Sequence, residues 1–152
     1  MKKAIIILSF VVLAFTTATF GQKPTTPPIQ RDPILEADAK HNLEVAWQYY
    51  KLKKAYKAVI MRFEETLAAH PDFSQMDEFL FITAMSSKNL ADGKGRDKLV
   101  LKGDEEKQRF SPERLREDAT VYFTMIKDKY PKSKYIGETE KNLKELQAKS
   151  NP

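Results

Sequence analysis

The sequence predicts an all-α protein of antiparallel helical hairpins, with about five helices in a short solenoid. Apolar residues recur at spacings of three and four in several segments, as on one face of a helix. Two of these segments end at a proline, which stops a helix. No segment shows the alternation of apolar and polar residues that is typical of a half-buried strand.

The first 21 residues have the order of a secretory signal peptide. Lys2 and Lys3 precede an almost wholly apolar run, 4–15, and small residues frame a cut after Gly21. The run is shorter than the roughly 20 residues that a membrane-spanning helix needs. We therefore expect cleavage and export to the periplasm or the outer membrane, with an uncleaved anchor as the alternative.

A proline-rich segment, 22–31, follows the leader with the sequence QKPTTPPIQR. It has no apolar period, so we expect an extended tether. Removal of the leader would lower the formal charge from +5 to about +3, because two of the 26 basic residues lie there. The remaining charges are interspersed, which gives little support to nucleic-acid binding. The absence of cysteine excludes disulfides, thiolate metal sites and thiol nucleophiles.

The helical domain is predicted to span 32–149. Asp32 and Pro33 open the first helix as an N-cap and a proline at the first helical position. Its stripe comprises Leu43, Ala46, Trp47 and Tyr50. A break near Lys53–Lys54 is expected, since one helix of about 37 residues would be long for a globular domain. The second stripe runs to Pro71 and comprises Tyr56, Val59, Ile60, Phe63 and Leu67.

Three further helices are predicted after Pro71. Ser74 and Asp77 form a capping-box pattern for the third, which carries Phe79, Leu80, Thr83 and Ala84. Glycines and mixed charges predict a flexible loop over about 91–110. Ser111-Pro112 starts the fourth helix, whose buried face comprises Leu115, Ala119, Tyr122, Phe123, Ile126 and Tyr130. The last, more weakly amphipathic helix carries Ile136, Leu143 and Leu146.

The two prolines that end apolar helices lie 60 residues apart, at Pro71 and Pro131. At this offset the matched pairs are Phe63 with Phe123, His70 with Tyr130, and Glu78 with Glu138. In each copy an apolar helix ends at a histidine or tyrosine ring. A proline, a short polar turn with a serine and another helix then follow. A duplicated helical joint explains the matches, because stacked hairpins bury faces that a single pair leaves bare.

These segments resemble the tetratricopeptide-like units of BamD-type outer-membrane assembly proteins and of periplasmic Tol–Pal-associated proteins. The units look like A-x3-aromatic-x6-Y-P-x-S-x-Y/A followed by a helix. The second copy fits fully, with Ala119, Phe123, Tyr130, Pro131, Ser133 and Tyr135. The first is partial, with Val59 for the alanine, His70 for the tyrosine and the serine displaced to Ser74. The resemblance covers about Glu36 to Leu146.

The resemblance implies a non-enzymatic adaptor that binds envelope or outer-membrane proteins, with a role in outer-membrane protein assembly. A Tol–Pal-type or cell-wall-associated periplasmic scaffold is the alternative. The chain departs from the BamD type in lacking the cysteine that carries a lipid, so we expect no N-terminal lipid anchor. It is also short, and its 60-residue spacing exceeds the 34-residue period of the tetratricopeptide repeat.

The residues that could serve in catalysis, metal binding or phosphate binding have simpler interpretations as packing or surface residues. His70 occupies the joint position of Tyr130, and the spacing of Asp38 and His41, compatible with a metal, also arises in charged helices. Glu64-Glu65 and Glu105-Glu106 are adjacent, so their side chains point apart on a helix. GKGRDK at 93–98 lacks the phosphate-loop pattern. We therefore predict no enzymatic activity, no metal or other cofactor and no small-molecule substrate.

Aromatic residues cluster near the end of the first helix and the start of the second, at Trp47, Tyr49, Tyr50 and Tyr56. Trp47 and Tyr50 lie on the apolar stripe, which indicates core, whereas Tyr49 lies off it. Aromatic anchors also dominate peptide recognition, so a partner groove involving some of these four rings is the second interpretation.

Overall fold

The structure, a computed structural model, describes residues 31–96 and 101–150, with only the backbone of Ser150. The predicted signal peptide and all of the predicted tether except Arg31 lie outside these residues. Within them the chain is all-α and has no strand, which confirms the predicted class. The six helices are α1 Pro33–Gln48, α2 Tyr56–Ala69, α3 Met76–Ala91, α4 Gly103–Arg109, α5 Pro112–Lys129 and α6 Ile136–Ser150.

The break between α1 and α2 lies where the sequence predicts it. Asp32 caps α1 by accepting the Ile34 N–H at 2.8 Å. The helix ends in a π-helical turn, Tyr49–Lys53, and Lys54 then takes a left-handed conformation with φ of 50°. The N–H of Ala55 donates to the Tyr49 carbonyl at 3.0 Å, which closes the turn. Lys54 thus stands where glycine is the usual residue.

The predicted loop over 91–110 contains a helix, so the described chain has six helices and not five. The helix, α4, has seven residues and leads to Phe110, which is buried beside Ile60 and Leu115. Arg109 pairs with Glu64 of α2, and Glu106 pairs with Lys57. The prediction failed because α4 has no apolar stripe of its own; contacts at its ends and ion pairs to α2 hold it.

The predicted capping box at the start of α3 does not form. Gln75 is the N-cap residue, and no side chain makes a capping hydrogen bond there. The backbone N–H of Ser74 instead donates to the Glu36 carboxylate, with 3.2 Å to Oε1. Asp77 accepts a hydrogen bond from the Ser133 hydroxyl at 2.6 Å. Both groups of the expected box are therefore engaged by other parts of the fold.

The helices form two layers in which consecutive long helices pack against each other in an antiparallel-like manner. Helices α1, α3 and α6 form one layer; Trp47 reaches Glu78 on α3, and Lys88 of α3 donates to Asn142 on α6 at 2.7 Å. Helices α2 and α5 form the other, where the rings of Phe63 and Tyr122 lie 5.3 Å apart. The central helix α3 contacts α1, α2 and α5.

The main core lies between the layers. Phe63 of α2, Phe79 of α3 and Phe123 of α5 are fully buried, and the rings of Phe63 and Phe79 meet edge to face at 5.4 Å. Ala119, one turn before Phe123, is also fully buried and lets α5 approach its neighbours closely.

Candidate functional site

The two proline joints have the same backbone geometry 60 residues apart. His70 N–H donates to the Thr66 carbonyl at 2.8 Å, and Tyr130 N–H donates to the Ile126 carbonyl at 2.8 Å. The next three backbone bonds also match. In the first joint, the N–H of Phe73 donates to the His70 carbonyl, that of Met76 to Phe73 and that of Phe79 to Gln75. In the second joint, Ser133 donates to Tyr130, Ile136 to Ser133 and Thr139 to Tyr135. Pro71 and Pro131 occupy equivalent exposed positions.

The first joint is held by Glu36, which comes from α1. Its carboxylate lies 3.0 Å from Nε2 of the buried His70 and accepts the Ser74 N–H. Burial alone would raise the pKa of Glu36, but the hydrogen bonds from Ser74 and His70 outweigh it and lower the pKa. His70 is thus a joint residue with a defined carboxylate partner.

The second joint is held by two adjacent carboxylates at the start of α3. Asp77 accepts the Ser133 hydroxyl, whose oxygen also accepts the Tyr135 N–H at 3.2 Å. Glu78 lies 2.9 Å from the Lys134 ammonium and accepts the Trp47 indole N–H at 2.8 Å. Burial would raise the pKa of Glu78, but the bonds from Lys134 and Trp47 lower it.

The aromatic residues of the second joint differ in their surroundings. Tyr135 stacks on Phe81 with ring centroids 4.4 Å apart and an angle of 15°. Tyr130 is partly buried against the main core, and burial raises its pKa. The motif residues of this joint therefore pack against and bridge neighbouring helices.

Three of the four rings predicted as a cluster are in contact. Trp47 meets Tyr50 edge to face at 5.7 Å, and Tyr50 lies 5.5 Å from Tyr56. Asn89 donates to the Tyr50 hydroxyl at 3.4 Å, and the Lys51 ammonium lies 4.3 Å from the Trp47 ring centre. Burial raises the pKa of Tyr50.

The four rings differ in their access to solvent. Tyr56 is 8% exposed, so it packs against Tyr50 on the buried side of the cluster. Trp47 and Tyr50 are partly buried, and part of each side chain remains accessible to solvent at the α1–α3 junction. Tyr49 lies apart, also partly buried, with the Lys53 ammonium 4.8 Å from its ring centre. We call Trp47, Tyr50, Lys51 and Asn89 the aromatic patch.

The other candidate groups are not brought together. His41 and Asp38 are exposed, and Asp38 accepts a hydrogen bond from Asn42 at 3.4 Å. Among the residues that the structure describes, no three His, Cys, Asp or Glu side chains form a group suited to a metal. Glu64 and Glu106 each pair with a basic residue. Gly93 and Gly95 have positive φ, and part of 93–98 lies outside the described chain.

The roles of the carboxylates that hold the joints were not predicted from the sequence. Glu36 and Asp77 contact groups 34 to 56 residues away, so no local spacing identifies them. Glu78 had one signal, its match with Glu138 at the 60-residue offset. The match marked the position but gave no indication of the bonds to Trp47 and Lys134.

No family model, curated protein or solved structure matches this chain. Within 31–96 and 101–150, no helix is both long enough and apolar enough to cross a membrane. The likeness to BamD-type and Tol–Pal-associated proteins therefore stays a prediction from the motifs quoted above.

Proposed function

We propose that the chain is an exported, non-enzymatic adaptor that binds other proteins of the cell envelope. The leader sequence supports export, and the resemblance of the proline joints supports a tetratricopeptide-like binding module. The two-layer helix stack agrees with that resemblance in its duplicated joint geometry. In such modules rigid helices present a surface to a segment of the partner, without covalent chemistry.

The observation that carries this proposal is the aromatic patch. Trp47 is fixed by its indole hydrogen bond to Glu78, and Tyr50 is fixed by Asn89 and by the ring of Tyr56. Rings that are already held in place lose little conformational entropy when a partner covers them. Partly exposed Trp and Tyr side chains are also the residues that contribute most often to binding hot spots.

Outer-membrane protein assembly is the role that the resemblance favours. A Tol–Pal-type or cell-wall-associated scaffold is the second role, since the same motif occurs in both kinds of protein. The two roles differ in the partner and not in the mechanism. Recovery of the partner from cells therefore distinguishes them.

Co-purification from gently solubilised cells tests the proposal. The wild-type chain should recover components of the barrel-assembly machinery; recovery of Tol or wall-synthesis components would favour the second role. Lys51→Glu reverses an exposed charge above Trp47 and should reduce recovery at least tenfold. Lys144→Glu, an exposed site on α6, is the matched control and should leave recovery unchanged. Equal loss with both variants, or no specific partner, would contradict the proposal.

A further inference from the structure

The most exposed large apolar side chains lie at one edge of the helix stack. Among the described residues, Ile34 is 78% exposed, Leu35 42%, Leu52 73% and Met61 43%, all on α1, the π-helical turn or α2. The fifth, Val121, is 54% exposed and lies on α5. Four of these five side chains thus lie on α1, the π-helical turn or α2, so this edge exposes more large apolar side chains than the rest of the described surface.

The opposite edge is polar. The outward positions of α6 are charged, and its exposed residues include Glu138, Glu140, Lys141, Lys144, Glu145 and Lys149. Terminal helices of stacked repeats carry such a polar outer face when the stack ends there. Among the described residues, the outer face of α6 thus resembles the closed end of a stack, whereas that of α1 carries exposed apolar side chains.

The outer face of α1 lies opposite its buried residues Ala39, Leu43 and Ala46. Its exposed residues include Ile34, Ala37, Asp38, His41, Glu44, Gln48 and Leu52. The two large apolar side chains, Ile34 and Leu52, stand at its ends, and most residues between them are polar. An antiparallel copy covers both apolar ends at once, because Ile34 of each chain then meets Leu52 of the other. Such pairing places Ile34 against Leu52 and Asp38 against Gln48.

Charge along the α1 edge agrees with this arrangement. At the beginning of α1 the charges of Arg31, Asp32, Glu36, Asp38 and Lys40 sum to −1, whereas towards its end those of Glu44, Lys51, Lys53 and Lys54 sum to +2. Antiparallel pairing sets the basic end of each helix beside the acidic end of the other, and it also opposes the helix dipoles. Parallel pairing would bring like charges together.

We propose that the outer face of α1, together with its flanking charges, binds a second copy of this chain through a two-fold axis that crosses this face at the level of residue 43. The contact is isologous, so it closes as a dimer. A filament would require the α1 edge to fit the charged face of α6, which offers no apolar complement. The apolar contacts of this dimer do not depend on the proposed adaptor function, since Ile34 and Leu52 lie outside the aromatic patch, whereas Lys51 belongs to both surfaces.

Sedimentation equilibrium of the full chain, expressed and purified in the form the cell produces, measures the dimer. We expect a mass that rises with concentration to twice that of the monomer, and a weaker dimer at high salt. Leu52→Asp should weaken association at least tenfold, whereas Val121→Asp, at a 54% exposed position on α5, should not. A monomer at every concentration, or equal effects of both substitutions, would overturn the proposal.

Cysteine pairs determine the orientation, because the chain has no cysteine of its own. Residues 34 and 52 lie about 27 Å apart along a helix of this length. In an antiparallel dimer, a mixture of Ile34→Cys and Leu52→Cys chains should form mixed disulfides, and each variant alone should not. Disulfides formed by each variant alone, without mixed species, would show parallel pairing and overturn the arrangement.

Discussion

The hydroxyl of Ser133 donates a hydrogen bond of 2.6 Å to the carboxylate of Asp77, 56 residues earlier in the chain. This bond connects the joint between α5 and α6 to the start of α3. The same hydroxyl oxygen accepts the Tyr135 N–H, so one serine both shapes its own turn and attaches it to the neighbouring hairpin. The serine of the motif is therefore a bridging residue in this fold.

Removal of this bridge should lower stability. Ser133→Ala leaves Asp77 without its hydroxyl partner, and a hydrogen bond to a charged group contributes about 1.5–3 kcal/mol. Ser74→Ala, at the serine of the first joint, should cost less, because Glu36 keeps the Ser74 backbone N–H and His70 as partners. Urea unfolding measures both. Equal losses would contradict the assignment of separate roles to the two serines.

Because Phe123 is buried, truncation of its side chain should strongly lower the free energy of unfolding. Phe123→Ala should cost about 3–5 kcal/mol, since the ring is fully buried between the layers. Val121→Ala, two residues away and 54% exposed, should change the free energy of unfolding by less than about 0.5 kcal/mol. Thermal or urea unfolding provides the comparison. An unchanged stability of Phe123→Ala would be incompatible with the packing of α5.

The left-handed Lys54 predicts a stabilising substitution. Lys54→Gly relieves a backbone cost of about 1–2 kcal/mol and loses about 0.4–1 kcal/mol through the freer unfolded chain. We expect a net gain of roughly 0.5–1 kcal/mol in the free energy of unfolding. Lys53→Gly, inside the π-helical turn, should instead destabilise by about 1 kcal/mol. A loss of stability in both variants would show that Lys54 is not left-handed.

The carboxylates at the joints predict a dependence of stability on pH. The pKa values of Glu36 and Glu78 are lowered in the folded state. Their contribution is therefore complete above the unfolded pKa, about 4.3, and is lost as the pH falls through the lower folded value. Stability should decrease from pH 6 to pH 3, and Glu78→Gln should reduce the slope. An identical slope in that variant would exclude Glu78 as a contributor.

Local features of the fold were predictable from the sequence, because their signals lie within one or two turns. The caps at Asp32 and Ser111 and the break near Lys54 are of this kind. The helix α4 was not predictable, since it depends on Phe110 packing beside Ile60 and Leu115. The false capping box had the right residue types, but their groups are bound to Glu36 and Ser133 in the folded chain.

The candidate site was predictable only in part. Spacing placed Trp47 and Tyr50 on one helical stripe, and the structure brings them into contact with each other. The roles of Asn89 and Glu78 follow from the packing of α3 on α1, which periodicity does not encode. The burial of Tyr56 likewise depends on how α2 turns back after Lys54.

The proposed function is tested most directly by photo-cross-linking in intact cells from position 50. A photoreactive phenylalanine analogue at Tyr50 preserves an aromatic ring in the patch, and the same analogue at Lys144 reports on the polar edge of α6. The proposed adaptor function predicts a cross-link from position 50 to an envelope protein, with a component of outer-membrane assembly favoured, and no such product from position 144. The same products from both positions, or none from position 50, would contradict it.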